Sequence, residues 1–239
     1  MRYSEQQNAE LVGEARRRVG GRDPAELGIL FTYHKINKVM KRNLASLMAH
    51  NLWATTIPIA TMQPSLPSGV RMEKNPFWSQ LTGDAGDRCW ANVDAVYYEF
   101  YRRREVNCRR WLLAEWDVFC NGDIRDFFGS LWGEDFVVID IPKPGWHWFK
   151  DVKLLPENLR QKAFGMSPLA CSLLSDEAME KIVLGSWWID RTVFCELRIA
   201  TIANAAGVKI TPNPSAKPNI KSSGRPAVTG EGLWHPMKE

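Results

Sequence analysis

The chain has 239 residues, with 31 Lys and Arg against 27 Asp and Glu, so its formal net charge is +4. Its 45% hydrophobic residues suffice for a sizeable core, which excludes disorder over the whole chain. The positive excess falls far short of that of a dedicated nucleic-acid binder, and no apolar run approaches the roughly 20 residues needed to span a bilayer. These features predict one globular, cytoplasmic domain with no nucleic-acid partner and no transmembrane segment.

Alternating helices and strands are predicted for the first half of the chain. Apolar residues at three- and four-residue spacing indicate helices, and short apolar or β-branched runs indicate strands. In chain order the elements are a helix over 4–19, a strand over 28–34, a helix with Asn37 as its N-cap, a strand over 54–62, a loop over 63–88, a helix over 90–110 and a strand over 111–119. A strand, a helix and a strand in succession favour an α/β nucleotide-binding layer.

The second half contains fewer regular elements and more proline, glycine and aromatic residues. In chain order we expect a strand over 136–141, an insertion rich in aromatics and prolines over 142–175, a helix capped by Ser175, a helix over 192–207 closed by Gly207, and a Pro/Gly/Ser-rich tether over 211–232. The chain then ends in the motif LWHPMKE, which is apolar enough to dock back on the domain.

Two carboxylates lie at the end of the central strand, in the run WLLAEWDVF. Glu115 and Asp117 are two residues apart, so in an extended strand their side chains project to the same side. The preceding apolar residues place both at the C-terminal end of a buried strand, where ligands bind in open α/β sheets. Adjacent carboxylates repel each other unless a cation lies between them, and divalent ions take oxygen ligands of this kind. The motif therefore predicts a metal site; the alternative is one solvated acid and one acid paired with an arginine of the preceding helix.

This acid-x-Asp pair, after a strand-helix-strand opening and a helix that carries Asn92 and Asp94, resembles the GT-A class of nucleotide-sugar-dependent glycosyltransferases. The resemblance implies an α/β fold with a single GT-A-like, Rossmann-like mixed sheet flanked by helices. In that class a short Asp-x-Asp motif holds Mn²⁺ or Mg²⁺ against the diphosphate of the nucleotide-sugar donor. Because Glu115 replaces the first aspartate, Asp117 is the expected metal ligand, and Glu115 is expected to help bind the donor.

Two residues of the C-terminal part acquire roles through the same resemblance. Members of the class often supply a late histidine from a segment that folds over the donor, which here implies His235 as a second metal ligand. Many inverting members place the acceptor-activating carboxylate in a late helix, which implies Glu196 as the catalytic base for a glycan or other hydroxyl acceptor. The alternatives are that His235 is a solvated terminal residue and that Glu196 pairs with Arg191 or Arg198.

The resemblance also divides the chain and assigns the donor site. The end of the first strand, Thr32, Tyr33 and His34, is implied to meet the nucleotide base and ribose, together with Asn92 and Asp94. The implied parts of the single domain are a helical lead-in (1–27), a nucleotide-sugar-binding part (28–141), an acceptor-side part (142–210), and a flexible tether with a closing tail (211–239). Three cations of the tether are candidates to screen the diphosphate once the tail closes: Lys217, Lys221 and Arg225.

Two other functions remain open at this point. A metal-dependent phosphoesterase or nuclease would use the same carboxylates, although two-metal hydrolysis calls for more clustered Asp and His ligands than the sequence suggests. A non-catalytic polyanion-binding module would use the arginines at 102–104 and 109–110.

Overall fold

The computed structural model describes residues 3–34, 36–60, 73–74, 92–143, 145–188, 193–221 and 224–238, with 73–74 as backbone only. The helices are α1 (Glu5–Val19), α2 (Lys38–His50), α3 (Val93–Arg103), α4 (Ile124–Phe128), α5 (Glu157–Arg160), α6 (Asp176–Leu184) and α7 (Cys195–Ala205). The strands are β1 (Ala25–Tyr33), β2 (Thr55–Ala60), β3 (Glu73–Lys74), β4 (Cys108–Glu115), β5 (Phe119–Cys120), β6 (Phe136–Val138), β7 (Ser172–Ser175), β8 (Ile210–Pro212) and β9 (Leu233–Trp234). Short 3₁₀ helices span Gly129–Gly133, His147–Leu154 and Pro214–Ala216.

The described strands form a mixed seven-stranded sheet in the order β3-β2-β1-β4-β7-β6-β8. The strands β1, β2 and β4 run parallel, whereas β7 runs antiparallel to both of its neighbours. Thr32, near the end of β1, pairs with Glu115, the last residue of β4. The carboxyl ends of β1 and β4 therefore meet at one edge of the sheet, which is where the predicted acidic pair begins.

Helices cover both faces of the sheet, as expected for an α/β fold. Side chains alternate along β1, so Leu30 packs in one core cluster with residues of α3, α6 and α7, while Ile29 and Phe31 pack in the other with residues of α2 and α4. The central strand β4 alternates in the same way and is buried on both sides. This double burial explains its continuous apolar run in the sequence.

Local capping fixes where several helices begin and end. Asn37 is the N-cap of α2, and its side chain accepts a 2.8 Å hydrogen bond from the backbone N–H of Met40. Ser175 caps α6 in the same manner through the N–H of Ala178, at 3.1 Å. Gly207 follows α7 with φ of +71°, a conformation that favours glycine. These three boundary predictions are confirmed.

Some element boundaries differ from the prediction. The predicted helix over 90–110 ends at Arg103, because the backbone of Arg104 is extended. The guanidinium of Arg104 donates hydrogen bonds to Asp176 and lies 3.8 Å from the ring centroid of Tyr101. Residues 108–110 instead begin β4 and pair with β1. The predicted strand over 111–119 stops at Glu115, and its last residues form a turn and the start of β5. The four-residue strand β7 lies inside the segment predicted as an insertion.

The predicted loop over 63–88 falls largely outside the described residues. Within it only the backbone of 73–74 is described, and it forms β3 beside β2. Among the described residues, no helix combines the length and apolar character required to cross a membrane.

Candidate metal centre

The acidic motif lies at the point where the central strand turns. Strand β4 ends at Glu115, and the backbone N–H of Val118 donates a 2.9 Å hydrogen bond to the carbonyl of Glu115, which closes the turn through Trp116 and Asp117. Asp117 is therefore a turn residue and not a strand residue as predicted. The turn nevertheless keeps the two carboxylates together, since ligand atoms of Glu115, Asp117 and His235 all lie within 4.8 Å of one another.

The C-terminal tail carries His235 to this turn. Strand β9 pairs antiparallel with β5, which follows the acidic turn. The N–H of His235 donates to the carbonyl of Asn219 at 3.0 Å, and the N–H of Met237 donates to the carbonyl of Asp117 at 2.8 Å. The expected docking of the tail is therefore observed, and His235 is buried with 8% of its surface exposed. The alternative of a solvated terminal histidine is wrong.

Hydrogen bonding orients the imidazole of His235. Its Nδ1 lies 2.9 Å from the backbone carbonyl of Lys221, and because a carbonyl only accepts, Nδ1 carries the proton. Its Nε2 then faces Oδ1 of Asp117 at 3.3 Å. This Oδ1 is buried and accepts no hydrogen bond from the part of the chain that the structure describes. A protonated imidazole forms an ion pair with this carboxylate, whereas the neutral imidazole directs the lone pair of Nε2 to the same place, so these two atoms could serve as a ligand pair for a metal ion.

The charges of the cluster perturb one another. Burial, followed by the charge of Asp117, raises the pKa of Glu115 to about 7. Burial also acts to raise the pKa of Asp117, but His235 and Lys238 outweigh it and lower that pKa; Nζ of Lys238 lies 3.8 Å from Oδ2 of Asp117. Burial acts to lower the pKa of His235, whereas Asp117 and Glu115 raise it above its ordinary value. Two acids with one imidazole supply two oxygens and one nitrogen, a donor set that suits a divalent ion such as Mn²⁺.

Glu196 lies half-buried in the first turn of α7 and interacts electrostatically with Glu115 and His235. Its Oε1 accepts a 2.8 Å hydrogen bond from the backbone N–H of Leu169. The pKa of Glu196 is raised to about 8, chiefly by burial; the hydrogen bond from Leu169 opposes this rise, the charge of Glu115 adds to it, and the charge of His235 opposes it. Arg198, one of the two partners considered for Glu196, pairs with another acid, and Arg191 lies outside the described residues.

Asp94 and Asn92, which the resemblance implied as donor-binding residues, contact Arg198 in the interior. Asp94 is fully buried and accepts hydrogen bonds on both oxygens from Arg198, of which the bond from Nε is 2.7 Å long. Oδ1 of Asn92 accepts from the same guanidinium at 3.3 Å. Asp94 has no exposed surface with which to contact a nucleotide-sugar. This pairing could not be inferred from the sequence, because Asp94 lies in α3 and Arg198 in α7.

The end of β1 is partly buried as well. Oγ1 of Thr32 donates to the carbonyl of Ala114 at 3.2 Å, and Tyr33 is buried, which raises its pKa to about 12. His34 is half-buried and contacts Trp116 edge to face, with ring centroids 5.1 Å apart. Thr32 pairs with Glu115 in the sheet, and His34 contacts Trp116 between the two acids of the turn, so the end of β1 lies beside the centre.

Two of the arginines considered for a polyanion-binding module lie inside the protein. Arg102 is buried and donates to Asn8 and Ser186, each at 2.7 Å. Arg104 is buried against Asp176, and Arg103 pairs with Glu99. Two of the five arginines, Arg102 and Arg104, are therefore engaged in the interior, whereas Arg103 is exposed and pairs within its own helix, which leaves fewer free cations for such a module than the sequence suggests.

Two residues near the centre were not found from the sequence. Lys238 approaches Asp117 from the tail, and its position depends on the docking of β9, which a two-residue strand does not reveal. Asn43 is fully buried on α2. A signal was present for Asn43: it lies between Met40 and Leu47 at helical spacing, where an apolar residue is expected.

Compared with models of known protein families and with curated proteins, the sequence matches none of them.

Proposed function

We propose that the protein is a metal-dependent glycosyltransferase that moves a sugar from a nucleoside-diphosphate sugar to an acceptor hydroxyl with inversion. The observation that carries the proposal is the meeting of Glu115, Asp117 and His235, with an unsatisfied Oδ1 on Asp117 opposite an oriented imidazole. The acid-x-Asp motif, the mixed sheet and the docked C-terminal histidine support the GT-A resemblance together, since the motif alone is short.

The residues of the centre would hold Mn²⁺ or Mg²⁺ against the diphosphate. Such an ion supplies Lewis-acid stabilisation of the charge that accumulates on the leaving nucleoside diphosphate. Asp117 and His235 are the ligands we expect, and Glu115, with its raised pKa, supports the ion or the donor. The carbonyl of Lys221 keeps the lone pair of His235 on Nε2, and His34 with Trp116 forms an aromatic border beside the acids.

Glu196 is the group that we expect to take the proton of the acceptor hydroxyl. A carboxylate with a pKa of about 8 is a stronger base than a solvated glutamate, so it accepts this proton more readily as the new bond forms. The N–H of Leu169 holds Oε1 and thereby fixes the orientation of the carboxyl group. In a single displacement the acceptor attacks one face of the sugar while the nucleoside diphosphate leaves from the other. A base on α7 and an ion-binding centre at the end of β4 would serve these two tasks separately.

The metal-dependent phosphoesterase is the weaker candidate. Among the described residues, a single group of three possible ligands is found, whereas two-metal hydrolysis requires more. Steady hydrolysis of a phosphodiester without any sugar acceptor would favour it over the transferase.

The proposal is tested by thermal denaturation with UDP, GDP and dTDP, each with and without Mn²⁺. We expect one nucleotide and the ion to raise the melting temperature together, because both bind the native state. Asp117→Asn should abolish this joint shift, whereas Asp126→Asn, an exposed acid of α4, should preserve it. The absence of a joint shift with all three nucleotides would contradict the proposal.

A further inference from the structure

Asn43 joins the two segments that form the candidate metal centre. Its side chain is fully buried, and its Nδ2 donates to the carbonyl of Trp116 at 3.0 Å and to the carbonyl of Met237 at 3.3 Å. Trp116 precedes Asp117 in the acidic turn, and Met237 follows His235 by two residues in the tail. One amide group on α2 therefore bonds to both segments, next to a ligand in each.

The neighbouring Arg42 fixes the orientation of this amide. Its Nε and Nη2 donate to Oδ1 of Asn43 at 3.1 and 3.0 Å, and a guanidinium has donors only. Oδ1 of Asn43 must therefore face Arg42, which directs the NH₂ group toward the two carbonyls. Nη2 of Arg42 also donates to the carbonyl of Met237 at 3.4 Å, so that both side chains hold the tail.

We propose that Asn43 is a positioning residue that holds the acidic turn and the tail in register and thereby sets the affinity of the centre for a divalent cation. The inference rests on the proposed metal centre. Asp117 and His235 belong to segments far apart in sequence, and their mutual position depends on contacts such as the N–H of Met237 with the carbonyl of Asp117. Removal of a group that orients metal ligands typically lowers metal affinity by about 10- to 100-fold.

A matched control exists in the same chain. Asn8 is also fully buried, its Nδ2 donates to the carbonyls of Val183 and Leu184 at 2.9 and 2.8 Å, and its Oδ1 accepts from Arg102 at 2.7 Å. Its bonding pattern repeats that of Asn43, but it links α1 to the end of α6. Asn8→Ala therefore reproduces the loss of buried hydrogen bonds without touching either segment of the centre.

The experiment is a titration with Mn²⁺ alone, followed by electron paramagnetic resonance below the unfolding temperature of every variant. We expect Asn43→Ala to weaken Mn²⁺ binding by about tenfold or more. Asn8→Ala should leave the Mn²⁺ affinity within a factor of about two of the wild-type value, because Asn8 shares no contact with the centre. Arg42→Lys is a surface variant that keeps the positive charge but removes the planar guanidinium, which donates two hydrogen bonds to Asn43. It should weaken Mn²⁺ binding less than Asn43→Ala does.

The outcomes separate this inference from the proposed function. Wild-type affinity in both Asn43→Ala and Arg42→Lys overturns the role of Asn43, as does an equal loss of affinity in Asn8→Ala. If Asn43→Ala does not fold, the result with Arg42→Lys decides. Failure of the wild type to bind Mn²⁺ overturns the metal centre and this inference together. Weaker Mn²⁺ binding in Asn43→Ala, in a protein that shows no joint thermal shift with any of the three nucleotides, overturns the transferase and supports the role of Asn43.

Discussion

Nε2 of His235 lies 3.3 Å from Oδ1 of Asp117, although one residue belongs to the turn after the central strand and the other to the C-terminal tail. In the structure β9 is paired with β5, and the N–H of Met237 is bonded to the carbonyl of Asp117. Docking of the tail thus brings the candidate metal centre together. A cation bound between these residues would stabilise the docked tail, because binding to one state shifts the equilibrium toward it.

The imidazole of His235 is expected to contribute directly to metal binding. His235→Ala removes the only nitrogen of the three-residue group, so we expect Mn²⁺ affinity to fall by more than the roughly tenfold cost of losing an orienting partner. The measurement is a Mn²⁺ titration of the purified variant. His50→Ala, an exposed histidine in the last turn of α2, serves as the control and should bind like the wild type. Unchanged affinity in His235→Ala would exclude this residue as a ligand.

Glu196 is expected to make stability depend on pH. Its pKa is about 8 in the folded protein, against an ordinary value of 4.5, so between these values the folded state binds more protons than the unfolded state. Stability contributed by the neutral carboxyl is thus complete below pH 4.5 and is lost as the pH rises to about 8.

Glu196→Gln removes this titration while keeping a group of similar shape. Between pH 6 and 8 the melting temperature of the wild type should therefore fall more steeply than that of Glu196→Gln, as measured by differential scanning calorimetry in buffers of matched ionic strength. Parallel curves for the two proteins would show that Glu196 titrates normally. In the proposed reaction the same variant should retain the joint shift with nucleotide and Mn²⁺ and lose transfer.

The Arg198 and Asp94 pair is expected to be structural. Both side chains are fully buried, and Arg198 also donates to the carbonyl of Val193 at 2.8 Å. Arg198→Met leaves the charge of Asp94 uncompensated in the interior, which typically costs about 3–5 kcal/mol. Urea denaturation should show this loss, and Arg198→Met combined with Asp94→Leu should recover part of it because no buried charge remains. If Arg198→Met is as stable as the wild type, the ion pair contributes little to the free energy of unfolding.

The sequence predicted those features that depend on neighbours along the chain. Local patterns predicted the helix caps at Asn37 and Ser175 and the strand β4, which is buried on both faces. The acidic motif was recognised because its two carboxylates lie two residues apart in the sequence.

Features that depend on distant partners were not predictable in this way. Strand β7 has four residues and gains its stability by pairing with β4 and β6, so its own pattern is too short to distinguish it from the insertion around it. Asp94 was implied as a donor-binding residue by the resemblance, and only the fold brings Arg198 to it. The candidate centre was thus partly predictable: its residues could be named, but the roles of Asn43 and Lys238 required the docked tail.

Trp234 is expected to anchor the tail that carries His235. Its side chain is 1% exposed, and its Nε1 donates a 2.9 Å hydrogen bond to Oδ1 of Asn121, which also accepts from the N–H of Gly232 at 3.0 Å. Trp234→Ala removes a large buried side chain, a change that typically costs about 3–5 kcal/mol where the surroundings do not collapse. Because the tail is held at Lys221 through His235, this cost should appear first as release of the tail and only then as global unfolding.

Limited trypsin digestion followed by mass spectrometry measures that release. Cleavage after Lys221 should become faster in Trp234→Ala, and Mn²⁺ should slow it in the wild type, since the ion holds His235 and with it the backbone of Lys221. Trp187→Ala alters a tryptophan with 37% of its surface exposed and should leave the cleavage rate unchanged. Equal rates in Trp234→Ala and the wild type would mean that the tail is held by its backbone hydrogen bonds and by Asn43, without need of the indole.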